Sequence, residues 1–476
     1  MSEPESRTPF DVSPQDAVTT LERHDGPIIV DLDETLYLRN STTEFLNTVR
    51  PRLLAYLVVK LIDVVRPWRG RGDQSHTQRD MWRVRGVLVC APWSLLLWRR
   101  HAAKAGAQDA NARLIDVLER SEGEVVVATL GYQPIVKPLL RAMGLGRLRL
   151  VAMSPWRSDD VVAGKLALTR STIGADAVAD SAVITDSAAD MDLLAAARVG
   201  ARVVWPEARP RHLFSSLYLP GRYLSVVKRP KSGYFRRQVI REDLALWIIS
   251  GVYLADRPIA HIIGLAVLML SFWSAYEIGY IDNDLIAEAH EADPKLTSSF
   301  KEGQLAIGHL GPVPWAIGAG LLGLWILRWP APPSVTDYLG WAAVLVAVVA
   351  VFMVYNRFDK QTRISLFPLL HVARGSAFVV VAPAAAVAVV ALVIHILIRS
   401  TLYLIYRINN AQWVAMDLSV LRLTLFVSGA VLLGVSGDRW WSELISATGL
   451  TLVAWHLLLT RREFRTLLRN AHRLDR

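Results

Sequence analysis

Short runs of apolar, β-branched residues punctuate the first half of the chain, and long apolar stretches fill the second. Residues 26–33 (Gly-Pro-Ile-Ile-Val-Asp-Leu-Asp) read as a buried strand that runs into acidic residues. The mostly apolar pattern returns at 124–129, 148–153, 182–186 and 201–205. Runs with so few polar positions suit strands of a parallel sheet covered on both faces. Between them, 133–143 and 187–199 carry helical periodicity; the second starts after an Asp/Ser cap and stops at Gly200. This alternation predicts a three-layer α/β domain over about residues 24–215, preceded by a polar segment, 1–23.

The gap between the first two strands, 37–120, is too long for a plain connection. Helical segments are expected at 43–65, 81–103 and 108–120, forming a cap over the strand ends. Within them 87–98 is strongly apolar and is flanked by Arg83, Arg85, Arg99 and Arg100. It is too short to cross a bilayer. Two readings fit: a buried cap helix, or a helix lying on a membrane surface with its arginines at the headgroups.

From about residue 244 the pattern changes to stretches that approach the length of a membrane span. The strongest are 259–280, 313–329, 337–355, 376–398, 419–436 and 440–459, with weaker pieces at 244–256, 364–373 and 401–408. Six to nine spans are expected, so 244–476 reads as an all-α, multi-pass domain joined by a basic linker, 216–243.

Composition and charge refine this division. At 476 residues the chain is too long for one ordinary core. Its net charge of +10 is concentrated at 228–241, 357–363 and 461–476, beside apolar stretches. That placement marks cytoplasmic span ends and attracts anionic membrane lipids. No nucleic-acid partner is expected, because no aromatic-basic module is interleaved. The polar, acidic start MSEPESRTPF has no apolar core of the kind a cleavable signal needs. Cys90 is the single cysteine, so no intrachain disulfide can form. The expected location is the cell (inner, cytoplasmic) membrane, with the soluble domain in the cytoplasm.

Four pieces of the first half place polar groups at or near strand ends: Asp31-Leu32-Asp33-Glu34-Thr35, Thr129, Lys165, and Asp186 with Asp190. Past the carboxyl ends of parallel strands, such groups converge on one crevice. Asp31 is placed to attack phosphorus and form an aspartyl-phosphate. Asp33 would protonate the leaving oxygen and then activate water. Thr129 would hydrogen-bond a phosphoryl oxygen, and Lys165 would neutralise charge growing in the transition state. Asp186 and Asp190, with Asp31 and Asp33, make the expected Mg²⁺ set. Taken singly, each piece has a bland explanation: a solvated turn, a helix cap, a surface lysine, a turn hydroxyl. The ordered set is what carries information.

This set resembles the haloacid-dehalogenase-like (HAD) phosphatases over about 190 residues. Asp31, Asp33 and Thr35 match the first motif, Asp-x-Asp-x-Thr, with Glu34 where glycine is commoner. Thr129 matches the second, and Lys165 the third, with Lys137 as runner-up. Asp186-Ser187-Ala188-Ala189-Asp190 matches the fourth, with Thr185 where glycine is common. The resemblance implies a Rossmann-like α/β fold with a helical cap, Mg²⁺ as cofactor, and a phosphorylated small molecule or lipid-linked phosphate as substrate.

In the second half, Asn283, Asp284, Glu288 and Glu291 follow a strong apolar span and recur on one helical face. Acidic residues there are costly unless they face water, a partner or a metal. The segment resembles, with departures, the first aspartate-rich motif of UbiA-like intramembrane prenyltransferases; Ala287 stands where a second aspartate belongs. The best candidate for a second acidic motif is Asn356-Arg357-Phe358-Asp359-Lys360. The resemblance implies a Mg²⁺ and diphosphate site at Asn283, Asp284, Glu288, Glu291 and Asp359, and polyprenyl diphosphate as a partner. The competing expectations are a phosphatase on a non-catalytic anchor or scaffold, and a transporter or export partner suggested by Asp417 and Arg422, a pair that also reads as a structural ion pair. His371 and His395 read as hydrogen-bonded packing residues rather than ligands.

Overall fold

A computed structural model describes residues 8–68, 75–209, 211–359, 361–409, 418–435 and 440–470. The chain divides into two compact units, Met1–Leu217 and Tyr218–Arg476.

The first unit opens with α1 (Pro14–Glu22), capped by the Ser13 hydroxyl accepting from the Asp16 amide at 3.2 Å. Strand β1 (Ile28–Val30) follows. Five helices then come in succession: α2 (Ser41–Thr48), α3 (Arg52–Val65), α4 (Ser75–Cys90), α5 (Ser94–Gln108) and α6 (Ala112–Arg120). Next are β2 (Val125–Tyr132), α7 (Gln133–Ala142), β3 (Arg149–Met153), α8 (Asp159–Ile173), α9 (Ala175–Ala179), β4 (Ala182–Thr185), α10 (Met191–Ala196) and β5 (Val199–Arg202). The five strands form one parallel sheet in the order β3-β2-β1-β4-β5. Val30 lies opposite both Val127 and Ile184.

Alternate strand residues point to opposite faces, and both faces are buried. Ile28 and Val30 enter a core shared with Val127, Ile184, Ile135 and Leu139. Ile29 enters the other, with Val126, Val183, Val178 and Leu194. Helices therefore cover both sides of the sheet, which explains why the strands read as continuous apolar runs.

Several boundaries differ from the sequence reading. Residues 14–22, read as part of a polar N-terminal segment, form α1 and bury Ala17, Val18 and Leu21. The expected helix 43–65 is two helices, separated at Pro51, because a residue before proline disfavours the helical region; Val49 and Pro51 are extended. The expected 81–103 helix is likewise split into α4 and α5 around Pro92. In the apolar stretch 87–98, Val87, Leu88, Ala91 and Trp98 are buried, while Val89, Trp93 and Leu96 are exposed. The helix expected over 187–199 is short: Ala197 is already extended and β5 begins at Val199. A Cβ at Gly200 would lie 2.7 Å from the Leu194 carbonyl oxygen, so the strand can pass that close only as glycine.

The second unit is helical. The stretch read as a linker carries π-helical turns at Leu224–Lys228 and Phe235–Leu244, and Leu224, Val227 and Val239 are buried. Ten helices follow among the described residues: α11 (Ala245–Gly251), α12 (Pro258–His290), α13 (Ser298–Lys301), α14 (Val313–Arg328), α15 (Val335–Arg357), α16 (Phe367–Ser376), α17 (Ala386–Asn409), α18 (Leu418–Val435), α19 (Trp440–Leu444) and α20 (Ala447–Asn470). Among the described residues, five segments are long and apolar enough to cross a membrane: Pro258–His290, Val335–Arg357, Thr362–Val380, Ala386–Ile405 and Leu418–Val435. α14 is apolar but only 16 residues long. The expected span 376–398 is interrupted, because the chain leaves the helix around Pro383 and re-enters at Ala386. The expected span 440–459 is divided between α19 and α20. The unit's core is aromatic: Trp247 packs against Phe272, Trp341 and Phe378 with ring centroids 5.5–6.4 Å apart.

Candidate active site

In the first unit, Asp31 leaves the end of β1 with its amide donating to the Ile184 carbonyl at 2.9 Å, which seats it between β1 and β4. Asp186 follows β4 directly, and Asp190 sits in the turn that opens α10. Thr129 lies in β2 where the register with β3 shifts. Lys165 follows Gly164, whose φ of 77° and ψ of 171° break α8 into two helical stretches. Glycine adopts that conformation without the Cβ clash other residues meet, and the break places Lys165 at the head of the second stretch. All six expected side chains, Asp31, Asp33, Thr129, Lys165, Asp186 and Asp190, line one cleft of about 280 Å³. The helical insert contributes His76, Thr77 and Asp80 to its wall.

Lys165 is the centre of this arrangement. Its Nζ lies 2.9 Å from Asp31 Oδ1 and 2.7 Å from Asp190 Oδ2, and all three side chains are buried. Burial works against the ammonium, but the two carboxylates outweigh it and hold its pKa above the ordinary lysine value. The Thr185 hydroxyl lies 3.1 Å from Asp31 Oδ2 and 2.7 Å from Asp190 Oδ2. Thr185 thus sits between the two carboxylates, a placement its identity in the sequence did not signal.

The remaining acids are less compensated. Burial pushes Asp33 up to about 7, with the Asp31 charge adding to it and a 2.7 Å hydrogen bond from the Ser41 amide opposing. Burial and the charges of Asp31 and Glu34 push Asp186 up to about 7. Burial also raises Asp31, against the pull of Lys165, and raises Glu34. Asp186 Oδ1 accepts from the Thr35 hydroxyl at 3.3 Å. Glu34 has φ of 57°, a left-handed conformation that favours glycine.

Two of the expected residues make further contacts. Asp190 meets both Lys165 and Thr185 through Oδ2, so this oxygen helps to position the lysine. Thr129 Oγ1 accepts from the Gly131 amide at 2.9 Å, shaping its turn while it lines the cleft. Among the described residues, no three His, Cys, Asp or Glu side chains form a ready-made metal cluster. Mg²⁺ does not require one: it takes one or two carboxylates and completes its shell with water and phosphate. Asp31 and Asp186, two crowded carboxylates on one cleft, fit that demand.

In the second unit, Asn283, Asp284 and Glu291 line a cavity of about 300 Å³ with Asn356, Lys228 and Arg374. Asp284 is bound by Lys228 Nζ at 2.5 Å and by the Tyr223 hydroxyl at 2.9 Å. Lys228 also donates to Asn283 Oδ1 at 2.8 Å. Two expected members are elsewhere. Glu288 is exposed and does not line the cavity. Asp359 caps its own loop, accepting from the Gln361 and Thr362 amides at 2.8 and 3.0 Å; hydrogen bonds from Thr362 first of all hold it down to about 2. Asn356 is the member of that segment which reaches the site, donating to Asp282 at 2.9 Å.

Sequence reasoning assigned no role to three acids of this unit, Glu277 and Asp243, which are buried, and Glu242, which is half-buried. Glu277 accepts from the Tyr218 hydroxyl at 2.6 Å and from the Gly221 and Leu224 amides at 2.9 and 2.7 Å. Asp243 holds Arg374 at 2.6 Å and His395 at 3.1 Å, and Glu242 holds Arg399 at 2.5 Å and Arg422 at 3.1 Å. Arg422 therefore pairs with a residue read as linker; Asp417, its expected partner, lies outside the described residues. His371 packs edge-on against Phe367 at 4.6 Å.

Compared with known proteins, the chain matches no family model, no curated protein and no solved structure.

Proposed function

We propose that the first unit is a Mg²⁺-dependent phosphohydrolase of the HAD type, with Asp31 as nucleophile and the helical insert as its cap. The observation that carries this reading is the buried Lys165 ammonium held between Asp31 and Asp190 on a cleft shared with Asp33, Thr129 and Asp186. An isolated structural ion pair needs none of these neighbours.

An Asp31 oxygen attacks phosphorus, the bond to the leaving oxygen breaks, and Asp33 gives that oxygen its proton. Asp33 then takes a proton from a water that attacks the acyl phosphate, releasing inorganic phosphate and restoring the Asp31 carboxylate. A group titrating at about 7 is suited to give and take protons near neutral pH. Lys165 and Thr129 hold the phosphoryl oxygens as charge builds on them. Asp31 and Asp186 would hold Mg²⁺, which would supply positive charge to the phosphoryl group.

Phosphate release from soluble and lipid-borne monoesters by the purified full chain tests this reading; turnover of neither contradicts it. Mg²⁺ also has an expected effect on stability. A ligand that binds only the folded state adds about 2.7 kcal/mol at a hundredfold excess over its Kd. The melting temperature of the first unit should therefore rise with Mg²⁺ and fall back with chelator. Asp186→Asn should abolish that rise.

For the second unit, we propose a site for a phosphate-bearing lipid headgroup, with polyprenyl diphosphate as the ligand that the UbiA-like resemblance implies. Five cationic side chains against two carboxylates around the cavity support it. Lys228 already occupies one oxygen of Asp284, so a divalent ion there must displace it. Asp284→Asn is expected to abolish any prenyl transfer and to leave phosphate release by the first unit unchanged. Transfer that persists at the wild-type rate would remove the prenyltransferase reading and leave the anchor or scaffold.

A further inference from the structure

We infer that the outward face of α3 in the first unit rests on the surface of a lipid bilayer. α3 turns Ala55 and Val59 to the core. Its opposite side, which a water-facing helix makes polar, is apolar instead. Exposure climbs along this row from 40% at Leu53 to 56% at Leu57, 64% at Leu61 and 77% at Val64. Single exposed apolar residues are ordinary, whereas a contiguous row marks an interaction surface. The row extends past the helix: the Trp93 ring nitrogen donates to the Arg50 carbonyl at 2.7 Å, which sets this exposed indole at the start of α3.

Charge decides what the row faces. The one acid of α3, Asp63, is held by Arg83 at 2.8 Å. The exposed charges are basic: Arg50 just before the helix, Lys60 within the row, and Arg66 just after it. Among the described residues the row is bordered by cations and carries no unpaired carboxylate, which matches the headgroup boundary of an anionic leaflet, with Lys60 snorkelling to the phosphates. The same chain carries five helices apolar enough to cross a membrane. A tethered surface meets its partner at high effective concentration, so a weak interfacial helix suffices.

The docked face is coupled to the cleft. Arg83 joins Asp63 on α3 to Asp80 on α4, and Asp80 lines the cleft. Docking stands independently of the chemistry proposed for that cleft. Where both hold, the substrate class is a phosphate monoester borne by a membrane lipid.

The test uses the full chain in nanodiscs that contain anionic phosphatidylglycerol. In a Cys90→Ser background, nitroxides are placed at Leu57→Cys and Leu61→Cys on the row, and at Glu119→Cys on the exposed side of α6 as a water-facing reference. Collision with oxygen relative to a hydrophilic nickel chelate is expected to be several-fold higher at 57 and 61 than at 119. Equal ratios at all three positions would overturn the inference. Protection of 57 and 61 from both reagents would also overturn it, because a protein then covers the face. So would dipolar broadening between labels, which would identify the cover as a second copy. All three substitutions are at exposed positions, and an unchanged melting temperature verifies the fold before each measurement.

Discussion

Asp31→Asn is expected to lower phosphate release by the full chain on the order of 10⁴-fold or more, as removal of a nucleophile does in other covalent mechanisms. The substitution keeps the shape of the side chain. Its amide oxygen can still accept from the Leu32 amide, which donates to Asp31 Oδ1 at 2.8 Å. It cannot form an acyl phosphate. Lys165 keeps Asp190 at 2.7 Å, so the buried ammonium is still paired and the fold is expected to survive. Steady-state phosphate release and a thermal melt of the same preparation check the two halves of this statement. Loss of activity with loss of folding would not support the assigned role; loss with an unchanged melt would.

Lys165→Met should have the second largest effect, and it acts on two levels. Removing the ammonium leaves Asp31 and Asp190 buried side by side with no cation between them. Breaking a buried pair in this way costs about 3–5 kcal/mol of stability. Removing a charge aimed at the phosphoryl oxygens should lower turnover by about 10²–10³-fold where the protein remains folded. Asp190→Asn separates the levels: it takes away one of the two anions on Lys165 but leaves the ammonium in the cleft. Its turnover should lie between those of the wild type and Lys165→Met. Urea melts and single-turnover phosphate release measure both effects.

The placement of the cleft residues was legible because the physics of parallel sheets is local. Apolar runs covered on both faces have to end, and side chains just beyond those ends share a crevice. Asp31 and Asp186 follow two adjacent strands, β1 and β4, so their convergence follows from the sheet order once the strands are recognised. Lys165 was harder, because its position depends on a glycine break inside a helix rather than on a strand end. Thr185 was visible only as a departure from a common glycine; its placement between Asp31 and Asp190 depends on side-chain geometry.

The helical insert and the second unit were read more coarsely. Hydrophobic periodicity ran through Pro51 and Pro92, and the prolines decided where the helices end. The outward apolar face of α3 was not separated from its buried face, because periodicity shows that a helix has sides but not which side meets the core. In the second unit, Glu242, Asp243 and Lys228 fall in a stretch whose sequence reads as a basic linker. Their partners, Arg374, Arg399 and Asp284, are between 56 and 157 residues away in sequence. Pairings that distant are set by helix packing and leave no local pattern.

Covalent trapping tests the central claim most directly. The purified full chain is mixed with Mg²⁺ and a ³²P-labelled phosphomonoester that it turns over, quenched in acid within the first turnover, and digested. The account predicts one labelled peptide, containing Asp31, whose phosphate is released by hydroxylamine as an acyl phosphate must be. Label on any other residue, or full turnover with no trapped label and an active Asp31→Asn protein, would contradict it.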